Sequence, residues 1–225
     1  MSSIAPTAIL NRSTLSADSL AEEAYSIIRS KIITLELEPG SPVSEAELMS
    51  NLKLGRTPIR EALRLLANEK LVDVYPRRGV FVARVDVRNL SSLSEVRAVL
   101  EIKAAELAAL RSTVADRAVT VSLIHEIDQI QGNPNMVSLI QLDQRIHHHI
   151  YTATKNEFLA STLDQYYAHA LRIWFMALDQ VDGLSQAIIE HRTLLEAIRD
   201  GNVSAASVAM RDHVEGFEKT ISKNF

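Results

Sequence analysis

Residues 52–66, Leu52-Lys-Leu-Gly-Arg-Thr-Pro-Ile-Arg-Glu-Ala-Leu-Arg-Leu-Leu66, decide how the rest of the chain is read. Arg56, Arg60 and Arg64 recur at four-residue steps, so a helix over this stretch carries all three on one face. Ile59, Leu63 and Leu66 form a second stripe of the same helix, suited to burial against a partner. Gly55 precedes the first turn, and Pro58 within it gives up an amide that would have no intrahelical partner anyway. A helix with one apolar side and a row of arginines on the other fits the major groove of DNA, where arginine bonds bidentately to guanine O6 and N7. Spacing by itself favours a plain surface helix with a charged face. The flanking sequence has to decide.

Upstream, Ser44-Glu-Ala-Glu-Leu48 reads as the start of a short helix, with Ser44 as its cap and Glu47 three residues on. Downstream come two short β-branched runs, Leu71–Tyr75 and Val80–Arg84, joined by Pro76-Arg-Arg-Gly79, a basic turn with a glycine. That is a hairpin signal. Helix, helix, arginine-bearing helix, hairpin is the order of a winged helix-turn-helix.

The same stretches, Pro39-Gly40, S-E-A-E-L, G-R-T-P-I-R-E-A-L-R-L-L and R-R-G-V-F-V, resemble the DNA-binding domain of the GntR family of bacterial transcription regulators. The R-T-P-x-R-E-A-L core carries the resemblance. Gly55 departs from the family's usual Ser or Thr before Arg56, a loss worth a few tenths of a kcal/mol at an N-cap. Ala46 stands where many members carry arginine, which removes one backbone contact. The resemblance implies that Arg56 and Arg60 read bases, that Thr57 and Arg64 hold phosphates, and that Arg77, Arg78 and Gly79 bring the wing to the backbone or minor groove.

Composition agrees with a two-part chain. The 225 residues leave room for two modest domains, and 47% hydrophobic content is enough for real cores. The net charge of −4 hides an asymmetry. Residues 52–84 hold eight basic side chains against three acidic ones, a net +5 that leaves −9 elsewhere. A basic island in an acidic chain is the footprint of a phosphate-binding module joined to a part that does not bind nucleic acid. There is no cysteine, which excludes disulfides and thiolate metal sites. The N-terminus lacks the basic start and apolar core of a secretory signal, and no apolar run approaches the ~20 residues of a membrane span. The expectation is a soluble cytoplasmic protein with no membrane partner.

In chain order, residues 1–17 read as a flexible N-terminal tail, 18–85 as the winged helix-turn-helix domain and 89–225 as a domain of five or six helices. Helix breaks fall near Ser112-Thr113, Gly132–Pro134, Lys155-Asn156, Asp182-Gly183 and Gly201-Asn202. The fold class expected is mainly α, a winged helix-turn-helix followed by an all-α antiparallel bundle. The first long helix, roughly 89–110, and the aromatic helix with Tyr166, Tyr167, Trp174 and Phe175 are candidates for a dimer face.

All seven histidines lie in the bundle. Asp143 and His147 stand four apart among Leu139, Leu142, Ile146 and Ile150, which stacks a carboxylate under an imidazole. His191 continues the stripe of Ile188, Leu195 and Ile198, and His213 that of Ala206, Met210 and Phe217. His191 is eleven residues before Asn202 and His213 eleven after. A hairpin turning there sets both imidazoles at one height, about 16 Å from the bend. Any one of these histidines can be a satisfied core residue. Four polar groups at matched heights point to a divalent metal site, with Zn favoured and Ni, Mn or Fe(II) admissible. L-D-x-x-I-H at 142–147, Asn156, Glu190-His191 and Asp212-His213 also resemble the FCD domain, the ligand-binding partner in FadR/VanR-type GntR regulators. That resemblance implies the same ligands: Asp143, His147, His191 and His213.

Arg97 interrupts the stripe Leu93, Leu100, Ala104, Leu107, and a buried guanidinium requires an anion. Two kinds of partner stand open: a protein carboxylate, from Glu101 one turn on or from a neighbouring helix, or the carboxylate of a small organic acid whose other oxygens bind the metal, an arrangement that resembles FCD regulators. Counting equal steps from Asn156 places Gln165 and His169 opposite His147 and Asp143, and these with Arg172 complete the candidate effector pocket. The function expected is a ligand-responsive DNA-binding regulator, a repressor, binding a palindromic operator as a homodimer. The alternatives are a metal-dependent enzyme carrying a DNA-binding domain, and a regulator whose metal is purely structural.

Overall fold

The computed structural model describes residues 17–130, 136–177 and 184–223. They divide into two compact units, the first ending at Arg84 and the second beginning at Val85.

The first unit contains α1 (Ala17–Ile33), β1 (Pro42–Val43), α2 (Glu45–Leu52), α3 (Arg56–Asn68), β2 (Val72–Tyr75) and β3 (Gly79–Val82). The α2 helix starts where Ser44 accepts a hydrogen bond from the Glu47 amide, and ends at Lys53, whose φ of 55° turns the chain. Gly55 caps α3 without a side-chain bond, so the helix begins on backbone geometry alone. Ala24, Ile28 and Ile32 of α1 and Ile59, Ala62 and Leu66 of α3 are fully buried where these helices pack. In the wing, Val72 pairs with Val82 and Tyr75 with Gly79. Its turn closes through the Arg78 amide to the Tyr75 carbonyl, with Pro76 fixing one φ and Arg77 taking a φ of 63°. Gly79, at φ 99°, follows in a conformation that favours glycine. The sheet has a third strand that the sequence did not announce, β1, paired antiparallel to β3. Two residues carry no alternation, so this strand is defined by its partner.

After a short 3-10 turn at Val87–Asn89, the second unit holds six α-helices among the described residues: α4 (Leu90–Arg111), α5 (Val114–Asp128), α6 (Met136–Ala153), α7 (Glu157–Ala177), α8 (Leu184–Arg199) and α9 (Val203–Ser222). The breaks expected at Gly132–Pro134 and Asp182-Gly183 lie outside the described residues. The other three have physical causes. Thr113 and Asp116 form a reciprocal capping box that starts α5. Lys155 takes a φ of 52° between α6 and α7. Gly201, at φ 68°, ends α8, and the Asn202 side chain accepts from the Ala205 amide to start α9.

Helix α4 is the axis of this unit and packs on α9, α7, α6 and α8. Ala104, Ala105, Ala108 and Ala109, all essentially unexposed, let its neighbours approach closely. Here the sequence stripe is corrected. Leu93, Leu100 and Leu107 are half-buried on the flank, and the inward row is Leu90, Ser94, Arg97, Glu101, Ala104 and Ala108. No helix among the described residues is long and apolar enough to cross a membrane.

Candidate nucleic-acid interface and metal centre

Helix α3 separates its two faces as its periodicity requires. Ile59, Ala62, Leu63 and Leu66 are buried, while Arg56, Thr57, Arg60 and Arg64 are exposed together with Arg77, Arg78 and Gly79 of the wing. One contact was not legible in the spacing. Arg60 Nε donates to Glu45 Oε2 at 2.9 Å, from the first turn of α2. The pair is largely exposed, so its own contribution to stability is small. Its effect is to limit the directions that the Arg60 side chain samples. Arg60→Ala is expected to weaken operator binding by about 1–3 kcal/mol and to relax preference at one base position. Competition binding against single-base operator variants measures this, and an equal loss on random duplex would show that Arg60 touches phosphate alone.

In the second unit, His147 from α6, His191 from α8 and His213 from α9 bring one ring nitrogen each to within 4.8 Å of one another. The Nε2 atoms of His147 and His191 are 3.2 Å apart. Asp143 Oδ1 lies 3.6 Å from His191 Nε2 and 4.0 Å from His147 Nε2. Donor atoms around one Zn-sized ion sit roughly 3–3.5 Å apart. The His147–His191 pair has that spacing and the others lie wider, which makes the three imidazoles, with Asp143 beside them, the candidate donors for a divalent cation. His147 and His191 are buried, and His213 is half-buried. Burial, followed by the two neighbouring imidazoles, lowers the pKa of His213 well below its usual value and favours the neutral, ligand-competent ring. His149, two residues past His147, is engaged elsewhere, with Nε2 at 2.8 Å from Thr120 Oγ1, and His148 is exposed.

The surroundings of these side chains come from α4 and α7. The Tyr167 hydroxyl donates to Asp143 Oδ2, which leaves Oδ1 toward the histidines. Burial, with Asp143 beside it, raises the Tyr167 pKa well above its usual value, so the donor keeps its proton. Arg97 and Glu101, one turn apart on α4, are both buried and bonded through Nε at 2.9 Å and Nη2 at 2.6 Å to Oε1. Burial alone would raise the Glu101 carboxyl; Arg97, then His147, overcome it and hold the group far below the usual range. Of the partners open to Arg97, Glu101 is the one in contact. Arg172 of α7 is also buried, and His169 is half-buried. Gln165 is exposed and does not join the cluster. Counting steps from Asn156 sets a residue's height along α7 but not its direction, and the side chain that α7 presents to Asp143 and His147 is Tyr167.

Comparison with known proteins agrees with both halves. Residues 20–82 match the family model described as bacterial regulatory proteins, gntR family, and residues 92–216 match the FCD domain. The chain is 29% identical over 192 residues to an HTH-type transcriptional regulator in an unstable DNA locus of Streptomyces ambofaciens, covering 85% of this chain and 80% of that one. It is 30% identical over 197 residues to the galactonate operon transcriptional repressor of Escherichia coli K12, covering 76% and 83%. The solved structure of E. coli McbR/YncC superposes with a TM-score of 0.80 at 21% identity, over 91% of this chain and 98% of that one, a likeness of fold. The relatives are regulators of transcription, which sets aside the reading as a metal-dependent enzyme. With a DNA-reading winged helix-turn-helix in one unit and an FCD domain making up most of the other, the chain belongs to the GntR family of bacterial transcription regulators.

Proposed function

We propose that this regulator is a repressor whose hold on a palindromic operator is altered by a small carboxylate metabolite bound beside a divalent metal at Asp143, His147, His191 and His213. The observation that carries the reading is the convergence of three imidazoles from three helices, with a carboxylate oxygen 3.6 Å from one of them. A divalent cation, Zn first among the candidates, supplies positive charge that a small acid requires in a buried pocket. Beside His147 the chain supplies the Arg97–Glu101 pair, and buried Arg172 and half-buried His169 of α7 are the further candidates for the effector. An effector carboxylate reaches Arg97 by competing with Glu101, so the effector must favour one arrangement of α4 over another to act as a signal.

Repression of a two-fold operator requires a homodimer, because one winged helix reads only a few base pairs. Of the two helices considered for its face, α7 turns Tyr167 and Trp174 inward, whereas α4 leaves Val96, Val99 and Leu110 exposed beside half-buried Leu93, Leu100 and Leu107. Leu93, Val96, Leu100, Lys103, Leu107 and Leu110 follow alternating three- and four-residue steps, the spacing of a helix seam. The α4 face is therefore the reading for the dimer.

The test is operator binding by chelator-treated protein, with and without Zn, across a panel of small carboxylic acids. A change in operator affinity that needs both metal and one acid supports the proposal. An acid response unaffected by metal removal sinks it, and leaves the ion a structural part or no part of the regulator.

A further inference from the structure

Glu101 divides its two carboxylate oxygens between different tasks. Oε1 accepts both bonds from Arg97. Oε2 has no well-directed hydrogen bond and lies 3.2 Å from Nδ1 of His147. Nδ1 is the ring nitrogen away from the other donors, since Nε2 is the atom 3.2 Å from His191 and 4.0 Å from Asp143. An imidazole that gives one nitrogen to a cation carries its proton on the other, and a carboxylate beside that second nitrogen fixes the tautomer and raises the basicity of the first.

A second group competes for this role. The Tyr151 hydroxyl is 3.1 Å from the same Nδ1. Burial, with Glu101 next, keeps this phenol protonated. A hydroxyl both donates and accepts, so it tolerates either tautomer of the ring. An ionised carboxylate only accepts. Glu101 therefore sets the tautomer, and the phenol, which also interacts with Glu101, follows it. The two side chains also differ in anchorage, because Arg97 pins Glu101 while its guanidinium lies over the Phe217 ring, 5.3 Å from the centroid.

We propose that Glu101 is a positioning residue for the metal centre: with Arg97 as its anchor, it holds His147 in the Nδ1–H tautomer and so sets the affinity of the site for a divalent cation. This rests on the reading of Asp143, His147, His191 and His213 as metal ligands. It adds to that reading a control point on α4, a helix that supplies no ligand itself. It also makes Arg97 and the metal interdependent. Whatever draws Arg97 away from Glu101 loosens the carboxylate that orients a ligand.

The experiment is Zn binding to the purified full-length protein by competition with a chromophoric chelator, on wild type, Glu101→Gln and Tyr151→Phe. Glutamine keeps the shape and an oxygen for Arg97 but replaces the acceptor-only oxygen. Glu101→Gln is expected to bind Zn about 10–100-fold more weakly, with Tyr151→Phe within a few-fold of wild type. Wild type that binds no Zn removes the metal reading on which the proposal rests. Wild type that binds while Glu101→Gln binds equally well leaves that reading intact and overturns the proposal, making Glu101 a counter-ion of Arg97 and no more. An equal loss in Tyr151→Phe also overturns it, because the phenol then sets the tautomer. Should Glu101→Gln fail to fold, side-chain nitrogen–proton NMR correlations of chelator-stripped wild type decide. His147 protonated at Nδ1 supports the assignment, and protonation at Nε2 overturns it.

Discussion

Substitution of His191 by alanine is expected to abolish tight divalent-metal binding. His191 is fully buried, and its Nε2 sits at the middle of the cluster, 3.2 Å from His147 Nε2 and 3.6 Å from Asp143 Oδ1. Losing a group that only orients a ligand weakens a metal site by about 10–100-fold, so losing a ligand costs more than that. The consequence extends to stability. A ligand that binds the folded chain alone stabilises it by about 2.7 kcal/mol at a hundred times its Kd. Wild-type protein should therefore melt higher with Zn than with chelator, and His191→Ala should melt at one temperature under both conditions. Metal content by elemental analysis and paired melting curves measure the two effects. A variant that retains stoichiometric Zn excludes His191 as a ligand. One that loses Zn and melts lower but still answers the effector assigns the metal a structural role.

Arg97→Ala acts on stability by a different route. Arg97 and Glu101 are buried to the same degree, with 3% and 0% of their side chains exposed. Removing one partner of such a pair strands the other charge in the protein interior, a loss of about 3–5 kcal/mol. Part of that loss is relieved, because without Arg97 burial pushes the Glu101 carboxyl up, with His147 alone left to oppose it. For a chain of this length each kcal/mol moves the melting point by about 2–4 °C, so a fall of about 10 °C is expected. The double substitution Arg97→Leu with Glu101→Leu separates charge from packing. It should recover most of the lost stability, since apolar replacement of a buried pair is often neutral or better. Metal affinity should not recover with it, because no carboxylate then faces His147. Melting of Arg97→Ala within 2 °C or so of wild type would mean that water reaches Glu101 and that the pair is less enclosed than its burial indicates.

Much of this molecule was readable before any coordinates. The arginine face of α3 and its buried Ile59, Leu63 and Leu66 follow from a helical repeat and need no tertiary information. The same holds for Asp143 under His147, and for His191 level with His213 across the Gly201-Asn202 turn, because helix rise and one cap set those positions. Ser44 announced a helix start through its bond to an amide three residues away; Ser112-Thr113 marked a break, and the capping box there is a finding of the structure.

What the sequence could not supply is the direction one helix faces when it meets another. The stripe Leu93, Leu100, Leu107 reads as the buried side of α4, yet the bundle turns Ser94, Arg97 and Glu101 inward and leaves the leucines on the flank. Step counting found the height of the site on α7 and named Gln165, whereas the packing presents Tyr167. Glu45 beside Arg60, β1 beside β3 and Glu101 beside His147 are likewise contacts between separate elements. The backbone repeat acts within a few residues and is written in the local sequence. Rotation of a helix about its own axis is settled by every side chain it packs against at once, and for α4 that decided which ionisable groups face the histidines.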